Sequence, residues 1–155
     1  MTAGLATTET PKSAAARRVD WLHHQLKKLP AAAMPLEHIF TPGLYTRQIF
    51  MPAGSVVISR IHKTTHPFIV SKGRALVWSE EQGCVEIVAP HVGVTKPGTQ
   101  RVLILLEDTV WTTIHANRGD ERDVDKLTDW LTDMPDIEYI ADMEAQAQRL
   151  LEAQG

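Results

Sequence analysis

Hydrophobic and polar residues alternate through the middle of the chain, whereas near both ends apolar residues recur at helical steps. From Leu36 to Asn117, short runs rich in Val, Ile, Thr and Trp are separated by turn residues. The predicted strands are Leu44–Phe50, Val56–His62, Phe68–Ser71, Arg74–Ser79, Val85–Val88, Val92–Thr95, Val102–Leu105 and Thr109–His115. Many short strands without intervening helices are typical of an antiparallel sandwich or barrel, so the pattern predicts an all-β core.

The two ends of the chain predict helices. Residues 1–16 are rich in Ala and Thr with little to bury, which predicts a disordered tail. Residues 17–30 predict an amphipathic helix, and residues 120–153 predict a helical extension that Pro135 divides. These helices either cover an edge of the β core, recruit a partner or pair two subunits. Their apolar stripes lead us to expect a homodimer or a larger homo-oligomer.

Composition narrows the class of protein. With 155 residues the chain suits one compact domain, and its formal net charge of −3 gives no reason to expect nucleic-acid binding. The single cysteine, Cys84, excludes an intrachain disulfide and favours a reducing compartment. No apolar run approaches the roughly 20 residues that a membrane helix needs, and the N-terminus has no apolar signal core. We therefore expect a cytoplasmic protein without membrane contacts.

A spaced motif lies inside the predicted β core. Gly54 is followed by five residues and then by Arg60-Ile61-His62, after which come His66 and, six residues further on, Gly73. This spacing resembles the first motif of the cupin family, in which a His-x-His pair is followed by glutamate and glycine. Arg60 occupies the first histidine position, His62 retains the second, and His66 stands where the family has glutamate.

Further stretches extend the resemblance. Pro97-Gly98 resembles the turn of the second cupin motif, and Arg101 stands where the family has its last metal-binding histidine. The runs HKTTH…SKG, KPGTQR and DTVWTTIHAN are also similar to small cupin proteins encoded by bacteriophages. The resemblance implies a cupin-like double-stranded antiparallel β-barrel over residues 36–117, with flanking N- and C-terminal α-helices.

The replaced motif positions change the predicted chemistry. Guanidinium groups have no lone pair for a metal, so we expect no metal cofactor at Arg60 and Arg101. Together with His62 and His66, these arginines would form a cationic site for a carboxylate or phosphate group. Alternatively, the arginines pair with buried protein acids, for which the candidates are Glu80, Glu86 and Asp108.

A second group of candidates comes from strand alternation. Trp111, Thr113 and His115 share one face of their strand. If that face points inward, His62, His66 and His115 form an alternative metal site for a divalent ion such as Zn, Fe or Mn. Trp78 and Trp111 either fill the core or stack on a ligand. The candidate ligand-binding residues are thus Arg60, His62, His66, Trp78, Arg101, Trp111 and His115.

Three functions follow from these patterns. The first is a non-enzymatic, cupin-like protein that binds a small anionic metabolite or nucleotide, with no catalytic residue. The bacteriophage resemblance implies one use for it, which is to sequester a signalling nucleotide in the host cytoplasm. The alternatives are a metal-dependent cupin enzyme that uses His62, His66 and His115, and a structural or assembly protein with the barrel as its scaffold.

Overall fold

The computed structural model describes residues 11–155 and shows an antiparallel β core flanked by helices, as predicted. The helices are α1 Ala14–Leu26, α2 Val124–Leu131 and α3 Glu138–Ala153. The strands are β1 Leu36–Thr41, β2 Leu44–Met51, β3 Val56–Ile58, β4 Ile61–His62, β5 His66–Lys72, β6 Arg74–Ser79, β7 Gly83–Val88, β8 His91–Thr95, β9 Val102–Leu105, β10 Thr109–Ala116 and β11 Thr132–Asp133.

The strands form two main sheets with the hydrophobic core between them. One sheet has the order β1-β2-β10-β5-β8, the other has the order β3-β9-β6-β7, and β4 pairs separately with β11. Side chains from both sheets build the core: Met51, Phe68, Val70, Ala75, Val77, Ile87, Leu103, Leu105 and Trp111. Burial alternates along β10, whose inward residues include Trp111, Thr113 and His115.

The predicted fold class is confirmed, although the two main sheets are not closed into a barrel: no ladder of hydrogen bonds joins them in the described part of the chain. The predicted strand Val56–His62 is interrupted after Ile58, so its last two residues extend neither large sheet. Instead Ile61 and His62 pair with Asp133 and Thr132 of β11. Strand β4 is therefore hydrogen-bonded to the C-terminal segment and not to either main sheet.

The N-terminal elements begin and end at other residues than the periodicity suggested. Residues 1–10 of the predicted disordered tail lie outside the described residues. The remainder of that tail is partly helical, because the Ser13 hydroxyl accepts a hydrogen bond from the Ala16 backbone N–H at 3.0 Å and caps α1. The helix ends at Leu26, ahead of Pro30, which disfavours helical backbone in the residue before it. Strand β1 was not among the predicted strands.

The C-terminal extension has three parts. Asp123 caps α2 through its carboxylate, and β11 follows α2 directly. The third part, α3, docks on α1 through Asp20, whose buried carboxylate accepts hydrogen bonds from Lys12 at 2.7 Å and Tyr139 at 2.6 Å.

None of the described helices is long and apolar enough to span a bilayer. The homo-oligomer remains a prediction. Its basis is a set of exposed apolar side chains on α1 and α3, among them Trp21, Met143, Leu150 and Leu151.

A prediction for fold stability comes from Gly73, in the tight connection between β5 and β6. Its φ is +96°, and a Cβ there would overlap the Asp108 carbonyl oxygen and lie 2.7 Å from Thr109 Cα. We expect Gly73→Ala to lower the free energy of unfolding by roughly 3 kcal/mol or more, because strain and a backbone clash act together. Urea denaturation measures the change.

Gly54→Ala is the matched control. Gly54 also has positive φ, +81°, but a Cβ at that position meets no atom within 4 Å. Backbone strain alone should cost about 1 kcal/mol there. Equal losses in the two variants would show that the close approach at Gly73 does not contribute.

Candidate functional site

A cavity of about 330 Å³ lies between the two main sheets. Its walls combine cationic, aromatic and apolar side chains. The lining residues are Tyr45, Arg47, Ile49, Met51, Val57, Ile58, Ser59, Arg60, His62, Arg101, Leu103, Trp111, Thr113, His115, Thr128, Leu131 and Thr132. No aspartate or glutamate lines the cavity within the described residues. Its volume lies at the lower end of the range for small-molecule sites.

The first wall of the cavity is the inward face of β2 and β10. These strands are antiparallel, so their inward side chains form successive cross-strand pairs. From one end of the wall to the other, the pairs are Tyr45–His115, Arg47–Thr113, Ile49–Trp111 and Met51–Thr109. The wall is therefore polar at the Tyr45 end and mostly apolar at the Met51 end.

The opposite wall has the same gradation. Val57 of β3 pairs with Leu103 of β9 beside the apolar core. Toward the other end, the chain after β3 and the chain before β9 present Arg60 and Arg101. Ser59 joins these two segments, since its hydroxyl donates to the Arg60 carbonyl at 2.8 Å and accepts from the Arg101 backbone N–H at 2.9 Å. The polar ends of both walls therefore face the same part of the cavity.

Helix α2 and strand β11 cover this polar part. Thr128, Leu131 and Thr132 contribute to the lining, and the Arg60 guanidinium donates to the Thr132 hydroxyl at 3.3 Å. The Lys63 backbone N–H donates to the Leu131 carbonyl at 2.9 Å, which adds to the two-residue ladder between β4 and β11. The C-terminal segment thus completes the cationic end of the site.

The three cavity arginines have no carboxylate partner among residues 11–155. Arg101 donates to the Thr95 hydroxyl at 3.0 Å, and its guanidinium lies 4.8 Å from the Phe68 ring centroid and 5.9 Å from that of Trp111. Burial lowers the pKa of Arg101 and of Arg47, and the nearby charge of Arg60 lowers that of Arg47 further. Guanidinium groups nevertheless remain cationic in proteins.

The alternative in which protein acids neutralise the arginines is wrong for the described residues. Glu86 forms an ion pair with Arg74 at 3.0 Å on the exposed side of β6 and β7. Asp108 accepts a hydrogen bond from the Ala53 backbone N–H at 2.9 Å, and Glu80 lies at a separate groove. These acids are held by other parts of the fold, so their charges do not balance those in the cavity.

Three histidines cluster beside the arginines, as strand alternation predicted for His115. The ring centroids of His62 and His66 are 5.1 Å apart, and those of His66 and His115 are 4.2 Å apart. His66 is almost fully buried and does not line the cavity, whereas the other two do. Each imidazole keeps one buried nitrogen without a hydrogen-bond partner: Nδ1 of His62, Nε2 of His66 and Nδ1 of His115.

Burial and like charge keep these imidazoles neutral. Desolvation, followed by the charges of His66, Arg101 and Arg47, lowers the pKa of His62 to about 4. Desolvation also lowers the pKa of His115 to about 3, with His66, His62 and Arg47 contributing. The pKa of His66 is lowered by burial, although its hydrogen bond to the Thr64 carbonyl raises it. At neutral pH His62 and His115 therefore line the cavity as neutral groups.

The residues present do not fit a divalent metal ion. No group of three His, Cys, Asp or Glu side chains among the described residues is arranged to hold a metal. Arg60 and Arg101 also place positive charge next to the histidine cluster, which disfavours a divalent cation there.

The structure places the other predicted residues as follows. Trp111 is buried, lines the cavity and stacks on Phe68 with ring centroids 4.7 Å apart. Trp78 lies outside the cavity, at a groove that it shares with Val19 of α1, because Val77 takes the inward position on β6. Arg47 was not predicted. Alternation places Tyr45, Arg47 and Ile49 on one face of β2, but only the packing of the two sheets shows that this face points inward.

Comparisons with known proteins identify similar structures. No family model and no curated protein match the chain. Similar solved structures include an RmlC-like cupin family protein from Methanocaldococcus jannaschii, with 13% identity over 57% of this chain and 84% of that one, TM-score 0.46. A cupin-2 domain-containing protein from Shewanella frigidimarina is 12% identical over 62% of this chain and 92% of that one, TM-score 0.45.

An enzyme is also among the similar structures. Acetylacetone dioxygenase from Acinetobacter johnsonii is 18% identical over 56% of this chain and 61% of that one, with a TM-score of 0.46. Similar folds therefore occur in proteins named as cupins and in an enzyme. With identities below 20% and TM-scores below 0.5, these likenesses carry no argument about activity.

Proposed function

We propose that this protein is a non-enzymatic, cupin-like binding protein whose cavity holds a small organic anion. The observation that supports the proposal is the set of Arg47, Arg60 and Arg101, which line the cavity without a carboxylate partner in the described chain. Unbalanced charges in a partly buried space lower stability, whereas an anion with good hydrogen-bond geometry would stabilise them.

The cavity also bears on the assembly alternative. A β core that served as a scaffold alone would be expected to fill its interior with its own side chains. Here about 330 Å³ stays open between the sheets, and charged groups line it. This arrangement favours a binding role.

A nucleotide is the more specific form of the proposal. Its phosphate groups would meet the guanidinium groups, and Trp111 contributes an aromatic side chain to the lining near which a base would lie. Sequestering a signalling nucleotide in the host cytoplasm is the use that the bacteriophage resemblance implies. A calorimetric panel of mononucleotides and small carboxylates tests this form against other anions.

We expect loss of a cavity arginine to weaken anion binding. A charge-assisted hydrogen bond contributes roughly 1.5–3 kcal/mol, so Arg47→Met, Arg60→Ala and Arg101→Ala should each weaken binding about tenfold or more. Arg74→Ala is the matched control, because this arginine pairs with Glu86 outside the cavity. Isothermal titration calorimetry on the same panel measures the affinities. Unchanged affinity in all three cavity variants would contradict the proposal.

Arg47→Met should weaken binding and yet stabilise the fold. Arg47 has no side-chain hydrogen bond to any described residue, and it is repelled by Arg60. We expect Arg47→Met to raise the free energy of unfolding by about 1 kcal/mol, because it removes an unbalanced buried charge. Urea denaturation without added ligand checks this. A large loss of stability would indicate that Arg47 has a structural role.

The histidines predict a pH dependence of stability. His62 has a pKa of about 4 in the folded protein and 6.5 in an ordinary environment, so the unfolded chain binds more protons between these values. Stability therefore falls as the pH is lowered through this range, and His115 acts in the same direction. From pH 7 to pH 5 we expect a loss of about 2 kcal/mol for each imidazole.

Urea denaturation of the wild type at the two pH values measures this loss. His62→Gln should make the pH dependence weaker, because the variant has no imidazole to titrate there. His91→Gln changes a histidine outside the cavity and serves as the control. A pH dependence that is the same in wild type and His62→Gln would contradict the assignment.

A further inference from the structure

We infer that the ligand is an amphipathic dianion, with a doubly charged headgroup at the arginine end of the cavity and an apolar body toward Met51. This inference rests on the proposed function, since it specifies which organic anion the same cavity selects. It follows from the charge count at one end, the lining at the other and the segment that covers the headgroup.

The charge count at the polar end requires more than one negative charge. Arg47, Arg60 and Arg101 bring three positive charges, and no described acid lines the cavity. His62 and His115 add no charge at neutral pH. A monocarboxylate would leave most of this positive charge unbalanced, whereas a phosphate monoester carries a charge of about −1.5 to −2.

The two histidines of the lining add no charge beside the headgroup. His115 is 5% exposed, and its Nε2 is 2.9 Å from the Thr113 hydroxyl, while its Nδ1 has no partner. His62 Nδ1 is buried without a partner as well. Because both Nδ1 atoms are buried, the arginines supply the charged donors that a headgroup in the cavity would meet.

The other end of the cavity suits an apolar body. Ile49 and Met51 follow Arg47 at alternate positions of β2, and one such step is about 6.6 Å. Across the cavity, Val57 and Leu103 present apolar side chains at the corresponding depth. An aromatic ring or a short hydrocarbon chain attached to the headgroup would reach these side chains. A free inorganic anion would leave this apolar part of the lining without a ligand contact.

The cover over the polar end strengthens the preference for a dianion. Thr128, Leu131 and Thr132 close the space next to Arg60. Excluding water lowers the local dielectric, so the difference between one and two negative charges has a larger effect on affinity than it would at an open surface. Selection by charge is thus expected at this end and selection by shape at the other.

Three probes separate these contributions: phenyl phosphate, inorganic phosphate and benzoate. Phenyl phosphate has the dianionic headgroup and the apolar body, inorganic phosphate lacks the body, and benzoate has one charge. By isothermal titration calorimetry of the wild-type protein at neutral pH, we expect phenyl phosphate to bind at least tenfold tighter than either of the others. Benzoate binding as tightly would overturn the dianion, and inorganic phosphate binding as tightly would overturn the apolar body.

Two variants assign the contributions to the two ends. Arg47→Met should weaken phenyl phosphate and inorganic phosphate by a similar factor of about ten. Val57→Thr keeps the side-chain shape but replaces a methyl group by a hydroxyl at the apolar end, so it should weaken phenyl phosphate several-fold and leave inorganic phosphate unchanged. Equal effects of Val57→Thr on both phosphates would overturn the assigned orientation. If none of the three anions binds to the wild type, the amphipathic dianion is overturned, and the proposed function fails as well if the mononucleotides and carboxylates of the panel do not bind.

Discussion

Three guanidinium groups that share one partly buried cavity are the constraint on which the rest of the site depends. Arg47, Arg60 and Arg101 line the same space, and no carboxylate balances them within the described chain. Neutral imidazoles at His62 and His115 avoid further positive charge at neutral pH. The described lining supplies no negative charge, so the cavity favours a ligand that carries one.

The cationic end depends on a break in one strand. The chain leaves sheet geometry after Ile58, and Ser59 then bonds to the backbone of both Arg60 and Arg101. The next residues pair with β11 and thereby attach the C-terminal segment over the cavity. One local irregularity thus positions two arginines and the segment that covers them.

Part of this site was predictable from spacing and alternation. The interval from Gly54 to Gly73 correctly indicated that Arg60 and His62 lie at one site, and alternation along β10 indicated that His115 faces inward. Alternation also applied to Arg47 and Trp78, but it does not reveal which of the two faces is inward. That choice depends on which residues the opposite sheet buries, so Arg47 was missed and Trp78 lies at a separate groove.

The sequence by itself determined the antiparallel β core, the helices at both ends and the presence of two arginines, which cannot bind a metal, at positions 60 and 101. These features follow from local periodicity and from the chemistry of single side chains. Tertiary structure alone decided which acids approach the arginines, that His66 lies behind the cavity wall, and that the C-terminal segment covers the polar end. Each of these depends on contacts between residues far apart in the chain, such as Arg60 with Thr132, and no local pattern encodes the distance between them.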